Sequence, residues 1–169
     1  MNVLLIDHMA SSRMLLRCLL ETMDMDLCLH EFADPEEALR WCEHYKPDFV
    51  LLDNHLPTMH GLEFCNHFRL SPEHRDVPIA LVTIAEDVVT RRAAASAGIV
   101  EVILKPLHPP TVIARCAHHL QQRRGTRTAT THHAMSARTL SQRLRAAWNA
   151  LSRRTGNAAH KHKTEMTRN

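Results

Sequence analysis

The sequence predicts an α/β protein: a five-stranded parallel sheet, doubly wound by helices, with a basic C-terminal helical extension. Three observations predict it. Four short apolar runs each end on a polar residue, Val3-Leu4-Leu5-Ile6 before Asp7, Phe49-Val50-Leu51-Leu52 before Asp53, Ile79-Ala80-Leu81-Val82 before Thr83 and Val102-Ile103-Leu104 before Lys105. Buried parallel strands read this way. Helical patterns alternate with these runs, and βα units in a row specify a doubly wound sheet. Charge then divides the chain. Residues 1–122 carry 10 Lys+Arg against 17 Asp+Glu, a net of −7, whereas residues 123–169 carry 11 against 1, a net of +10. An acidic domain is joined to a basic segment near Gly125.

The elements follow in order. The first strand, at about 2–6, leads into a helix at 11–23 with Met14, Leu15, Cys18 and Leu19 on one face. A second strand is expected at 27–32. Asp34 then caps a helix whose first position is Pro35, with Glu37 placed to complete a capping box. The third strand ends at Asp53, and Pro57 and Gly61 mark the loop before a helix around 62–70. Pro72 and Pro78 bracket the connection into the fourth strand, which ends at Thr83. A helix at 86–97 stops at Gly98. The fifth strand ends at Lys105, and Pro109-Pro110 starts a last helix to about 122. The expected organisation is a domain at 1–122, a linker at 123–135, a basic amphipathic helix at 136–155 and a disordered tail at 156–169.

A chain of 169 residues holds one good core and an appendage. No apolar run reaches the roughly 18 residues of a membrane span, and the N-terminus enters a strand with no signal-peptide pattern. Cys18, Cys28, Cys42, Cys65 and Cys116 show no C-x-x-C spacing and sit in apolar contexts. Reduced core thiols and a cytoplasmic location are expected.

In open α/β sheets the functional groups lie just beyond the carboxyl ends of the strands. Asp7, Asp53, Thr83 and Lys105 are therefore expected to meet at one sheet edge. Two carboxylates, a hydroxyl and an ammonium form a set for phosphate and cation chemistry.

Ile6-Asp7, Leu51-Leu52-Asp53, Leu56-Pro57 with Gly61, Val82-Thr83, Ala97-Gly98 and Leu104-Lys105-Pro106 occur in this order on the predicted strand ends. Together they resemble the response-regulator receiver domain (CheY-like) of bacterial two-component signalling, over about 1–122. The resemblance implies a flavodoxin-like fold in which Asp53 accepts a phosphoryl group from a histidine kinase or phosphotransfer protein. By the same resemblance Asp7 belongs to a divalent-metal site, completed by Asp53 and the backbone carbonyl of His55, with Mg²⁺ as the cofactor. Thr83 would bond the phosphoryl group, Lys105 would neutralise it, and the Lys105-Pro106 bond is usually cis in the family. Such a domain works in a phosphorelay through contact with a downstream protein target and is not a turnover enzyme. The physics agrees: positioning and cations supply most of the catalysis of phosphoryl transfer, and the added group brings up to two negative charges to which hydroxyl and lysine respond.

Three residues depart from the family pattern. His8 stands where receivers carry a second acid that ligates the metal directly. Neutral imidazole is a poor ligand for Mg²⁺ and a good one for Zn²⁺, Cu²⁺, Ni²⁺ or Fe²⁺. Either Asp7, His8 and Asp53 form a one-histidine, two-carboxylate transition-metal site, or His8 weakens the Mg²⁺ site or replaces the ion by charge and hydrogen bonding. Ile84 follows the threonine, where a small residue normally leaves a path to the phosphoryl group, and its stiff side chain is expected to close that path. Val102 replaces the aromatic residue whose inward rotation reports phosphorylation. A pseudo-receiver, acting as a phosphate-independent binding module, therefore stays open beside the working phosphoacceptor.

Beyond the linker, Ser136 caps the expected basic helix and Gly156 stops it. Leu140, Leu144, Trp148 and Leu151 form one stripe, flanked by Arg138, Arg143, Arg145, Arg153 and Arg154. A lone helix of this length needs its stripe covered, by the receiver, a second copy, a partner groove or an anionic membrane surface. Its charge also suits nucleic acid through phosphate contacts, which gives a third class of function. Pairing into a dimer through the fourth helix, fifth strand and fifth helix, a face the family often uses, is permitted by Arg91, Arg92, Glu101 and Arg115.

Overall fold

The chain runs through β1 (Asn2–Ile6), α1 (Ala10–Glu21), β2 (Cys28–Phe32), α2 (Pro35–Cys42), β3 (Phe49–Asp53) and α3 (Gly61–Arg69). A 3-10 turn at Pro72–His74, β4 (Ile79–Thr83), α4 (Val88–Ser96), β5 (Glu101–Leu104) and α5 (Pro109–Gly125) complete it. The computed structural model describes residues 1–84 and 88–125 together with Arg145, the side chains at 88–90 excepted. The expected basic helix at 136–155, apart from Arg145, and the tail at 156–169 lie outside the described residues.

All strand pairs are parallel, in the order β2-β1-β3-β4-β5. Side chains alternate across a strand, so each run supplies both faces of the sheet. Val3, Leu5, Phe49, Leu51 and Val82 pack on Leu16, Leu19 and Leu20 of α1 and on Val112, Cys116 and Leu120 of α5. Leu4, Ile6, Val50, Leu52 and Leu81 face the other way, against Ala38 and Cys42 of α2 and Phe64, Cys65 and Phe68 of α3. Covered faces on both sides are why the central strands read as unbroken apolar runs. Each large side chain so buried contributes about 1.5–3 kcal/mol. Helices change sides where the strand order reverses, between β1 and β3, and such a crevice is where open sheets place their sites.

The element ends reveal local causes that the sequence patterns did not separate. Asp34 does cap α2, but its Oδ1 accepts from the Glu36 amide at 2.7 Å, one position earlier than a capping box uses. Helix α4 ends as expected at Gly98, whose φ of 69° is left-handed backbone. The Gly98 amide donates to Ala95 O at 3.1 Å and the Ile99 amide to Ala94 O at 3.0 Å, the paired bonds of a Schellman stop. Glu86, the expected start of that helix, is outside the described residues. Helix α5 runs to Gly125, so 123–125 are helix and not linker. Arg123 explains the extra turn in part, since its guanidinium donates to Asp76 O at 2.8 Å. The Lys105-Pro106 peptide is cis.

Gly61 requires a correction. It is the first residue of α3, not part of the preceding loop. A Cβ there would lie 2.8 Å from Asp53 O and 2.9 Å from Asn54 Cα, so α3 docks against the end of β3 only because no side chain intervenes. The cysteines are all free thiols, but not all are in the core. Cys42, Cys65 and Cys116 are buried, and burial pushes each thiol up to about 12, which makes them inert. Cys28 is exposed on the edge strand and Cys18 is half-buried.

Two outcomes follow from this packing. Gly61→Ala must displace backbone, not a flexible side-chain end, and is expected to lower stability by about 1–3 kcal/mol in urea unfolding. His74 is buried and stacks on Phe68 with ring centroids 4.5 Å apart. Desolvation there lowers its pKa from the ordinary 6.5. The unfolded chain therefore protonates first as pH falls through 6.5, and stability present above that value is lost below it. Urea midpoints measured between about pH 7.5 and 5.5 should fall further for the wild type than for His74→Gln.

Candidate functional site

The register of the sheet brings the predicted residues together. Ile6 pairs with Leu52, so Asp7 and Asp53 emerge side by side at the carboxyl ends of β1 and β3. Asp53 pairs with Val82, which sets Thr83 one step beyond it at the end of β4. Lys105 follows β5, and its amide donates to Thr83 O at 2.8 Å. Asp7, Asp53 and Thr83 are buried, at 1%, 2% and 1% exposure.

The two carboxylates are held very differently. Asp7 Oδ1 accepts from the Met9 amide at 2.8 Å, a turn that leads straight into α1. Its Oδ2 accepts from Ser12 Oγ at 2.5 Å and from Lys105 Nζ at 3.1 Å. The Arg13 guanidinium donates to Asp7 O at 2.6 Å. Asp7 is thus fixed in place by its own helix. Among the described residues, Asp53 Oδ1 receives only a long bond from the His55 amide, at 3.3 Å. Its Oδ2 is buried and has no hydrogen-bond donor: Lys105 Nζ lies 3.3 Å away, close enough for an ion pair but not aligned for a hydrogen bond. An ammonium between two buried carboxylates thus leaves one buried acceptor atom, Asp53 Oδ2, without a hydrogen bond.

His8 stands beside that oxygen, 40% exposed on its side chain. Its Nδ1 is 3.6 Å from Asp53 Oδ2 and 3.9 Å from Asp7 Oδ1. Asp7, His8 and Asp53 each offer a ligand atom, all within 4.8 Å of one another. The unsatisfied Asp53 Oδ2 and this clustering fit a divalent cation. The imidazole is the one donor among the three that does not match a cation demanding oxygen. His55 is exposed on the loop after β3, where it bridges to His60.

Two further departures take on a physical form. Ile84, the residue after β4, is 68% exposed. Val102 is half-buried, and its carbonyl accepts from the Arg115 guanidinium at 2.6 Å. Sequence reasoning missed Ser12 and the Met9 amide as supports of Asp7. A serine five residues after a strand-end aspartate, on the first turn of a helix, was the available signal.

With this geometry the comparisons become decisive. Residues 3–117 match the response regulator receiver domain family. The chain belongs to that family. Its similarity to the cyclic di-GMP phosphodiesterase response regulator RpfG of Xanthomonas campestris pv. campestris is 38% identity over 154 residues, 91% of this chain and 40% of that protein. The match is longer than the 125 residues up to the end of α5, so it continues into the basic segment. The DNA-binding response regulator MtrA of Mycobacterium tuberculosis is 30% identical over 121 residues, 72% of this chain and 51% of that one. The chain spans about two fifths to half the length of these relatives. Among solved structures, the chemotaxis response regulator CheY4 of Vibrio cholerae shares the fold, with a TM-score of 0.64 and 24% identity over 70% of this chain and 97% of that one.

Receivers are signalling modules that are generally not enzymes; they bind Mg²⁺ at an acidic pocket and interact with histidine kinases and downstream targets. Among the described residues of this receiver, no helix is long and apolar enough to cross a membrane.

Lys105 is the electrostatic hinge of the receiver site. Lys105→Met leaves two adjacent buried carboxylates without their cation. Breaking a buried pair costs about 3–5 kcal/mol, and because Lys105 is 19% exposed the expected loss is about 2–3 kcal/mol. Most of that loss should return in Lys105→Met/Asp53→Asn, read as coupling in a double-mutant cycle of urea unfolding.

Proposed function

We propose that Asp53 is the phosphoacceptor of this receiver, and that phosphorylation by a histidine kinase or phosphotransfer protein switches its contact with a downstream protein. The observation that carries the reading is the unequal treatment of the two carboxylates. Asp7 is saturated by the Met9 amide, Ser12 and Lys105, whereas Asp53 Oδ2 is buried without a donor. An under-solvated carboxylate oxygen beside an ammonium is a prepared nucleophile.

In the step, Asp53 Oδ2 attacks the phosphorus of a phosphohistidine. The P–N bond breaks, its electron pair returns to the imidazole, which takes a proton, and an acyl phosphate forms on Asp53. Lys105 is placed to follow the charge from carboxylate to phosphoryl oxygen, and Thr83, buried at the next strand end, is the hydroxyl that meets it. A divalent cation held by Asp7, Asp53 and the His55 carbonyl would screen the repulsion between the carboxylate and the incoming phosphoryl oxygens. Asp7 acts by orientation, and its fixed geometry is set by Ser12 and the start of α1.

The downstream contact is assigned to protein, not to nucleic acid or membrane. The likeness to RpfG, a response regulator named as a cyclic di-GMP phosphodiesterase, runs on into the basic segment. That segment therefore reads as part of what joins a receiver to its output. A second reading, the phosphate-independent pseudo-receiver, is favoured by one contact: Lys105 already lies 3.1 Å and 3.3 Å from the two carboxylates, so their charge is compensated without any cation.

Intact mass after incubation with acetyl phosphate and Mg²⁺ distinguishes the two. A single phosphoryl adduct on the wild type, absent from Asp53→Asn, is the expected result. Folded wild type that stays unmodified with both Mg²⁺ and Mn²⁺ would sink the phosphoacceptor and leave the pseudo-receiver.

A further inference from the structure

We infer that the Asp7–His8–Asp53 cluster selects a first-row transition cation over Mg²⁺, with His8 Nδ1 as its third protein donor. This rests on reading the cluster as the cation site of the receiver, and it concerns which cation is taken.

The donor set is the first reason. Two carboxylate oxygens and one imidazole nitrogen form a borderline set, which suits Zn²⁺, Co²⁺ or Fe²⁺, whereas Mg²⁺ wants oxygen alone and sheds water reluctantly. Spacing is the second. Bonds of about 2.0–2.1 Å to a tetrahedral zinc put neighbouring donors about 3.3 Å apart. The same bond lengths around octahedral Mg²⁺ put them about 2.9 Å apart. His8 Nδ1 already lies 3.6 Å from Asp53 Oδ2 and 3.9 Å from Asp7 Oδ1, nearer the wider spacing.

The third reason is an independent one. Asp53 Oδ2 belongs to a residue 98% buried, has no hydrogen-bond donor and faces the imidazole. Lys105 does not remove the vacancy it leaves. At Asp7 Nζ approaches Oδ2 and His8 approaches Oδ1; at Asp53 both approach Oδ2, at 3.3 Å and 3.6 Å, so an ion there shares that oxygen with an ammonium that is not aligned to donate to it. Asp7 itself is immobilised by Ser12 and the Met9 amide, the kind of outer support that holds a ligand in register. His8, being partly exposed, adjusts its ring without repacking the core.

The test uses the full chain, with His8→Asp and His8→Ala beside it. Co²⁺ is titrated by its visible d–d absorption, Zn²⁺ by competition against Co²⁺, and Mg²⁺ by calorimetry. One Co²⁺ with a low-coordinate spectrum is expected, displaced by Zn²⁺. Both His8 variants should bind Zn²⁺ at least about tenfold more weakly, and His8→Asp should gain at least about tenfold for Mg²⁺. Zn²⁺ affinity indifferent to both substitutions would place the ion on the other thirteen histidines and overturn the inference.

The acetyl phosphate assay separates this result from the phosphoacceptor reading. An adduct on the wild type with Mg²⁺ alone, as fast as in His8→Asp, overturns the cation selection and leaves the phosphoacceptor intact. His8-dependent Zn²⁺ binding without an adduct under any cation supports the selection and removes the phosphoacceptor.

Discussion

The contact on which the rest of this structure depends is the Lys105 ammonium between Asp7 and Asp53, 3.1 Å from one carboxylate and 3.3 Å from the other. Parallel pairing of β1 and β3 forces two strand-end acids into one crevice, and both are buried. Like charges at such range, out of water, are costly without a counter-charge. The counter-charge comes from a strand at the far edge of the sheet. The order β2-β1-β3-β4-β5 leaves β4 between β3 and β5, and the length of a lysine side chain spans that gap. Neutrality at the edge is therefore a property of the whole sheet, and it ties the stability of the fold to the chemistry of the site.

Around that pair the protein divides labour between its acids. Asp7 is built into the start of α1: its side chain turns the chain at Met9, its carbonyl meets Arg13, and Ser12 fixes its outer oxygen. Asp53 is supported from behind, where Gly61 lets α3 press against the backbone of β3, while its outer oxygen stays unsatisfied. One acid is a fixture and the other keeps an unsatisfied oxygen. This division holds whether the site uses an ion or the lysine alone. His8 bears on it directly, because an imidazole in place of a third acid removes one negative charge from the cluster and changes which cations the remaining oxygens favour.

The departures at the rim concern how a change at Asp53 travels outward. Ile84 is mostly exposed at this edge. With valine at 102, no ring is available to swing inward, so a rotation of that kind cannot carry the signal. What the β5 side offers is a polar network: Arg115 donates both to Val102 O and to Glu101 Oε1, and His119 Nε2 lies 3.6 Å from Glu101 Oε2. Lys105 is the next residue but one after Ile103 in the same strand run, so a short covalent path joins the edge cluster to this network. The basic segment follows α5, and the likeness to RpfG continues into it.

The sequence by itself determined the sheet, its parallel sense and the four residues of the edge. The central strands β1, β3 and β4 are buried on both faces and so had to be written as apolar runs, and each run ends on a polar residue at the sheet edge. It also determined the caps at Asp34 and Gly98, because such signals are local. Tertiary structure alone decided the rest. The need for glycine at 61 comes from Asp53 and Asn54, several residues distant, and no local pattern announces a close approach of backbones. The inequality of Asp7 and Asp53 depends on Ser12, on the Met9 amide and on a lysine 98 residues away from Asp7, so two aspartates that look alike in the sequence differ in the fold. Exposure of Ile84 and the aim of His8 Nδ1 were likewise undecidable from neighbours in the chain. Strand identity is written in the period of a few consecutive residues, whereas the balance of charge and hydrogen bonds at a site is a sum over groups that only folding brings within reach.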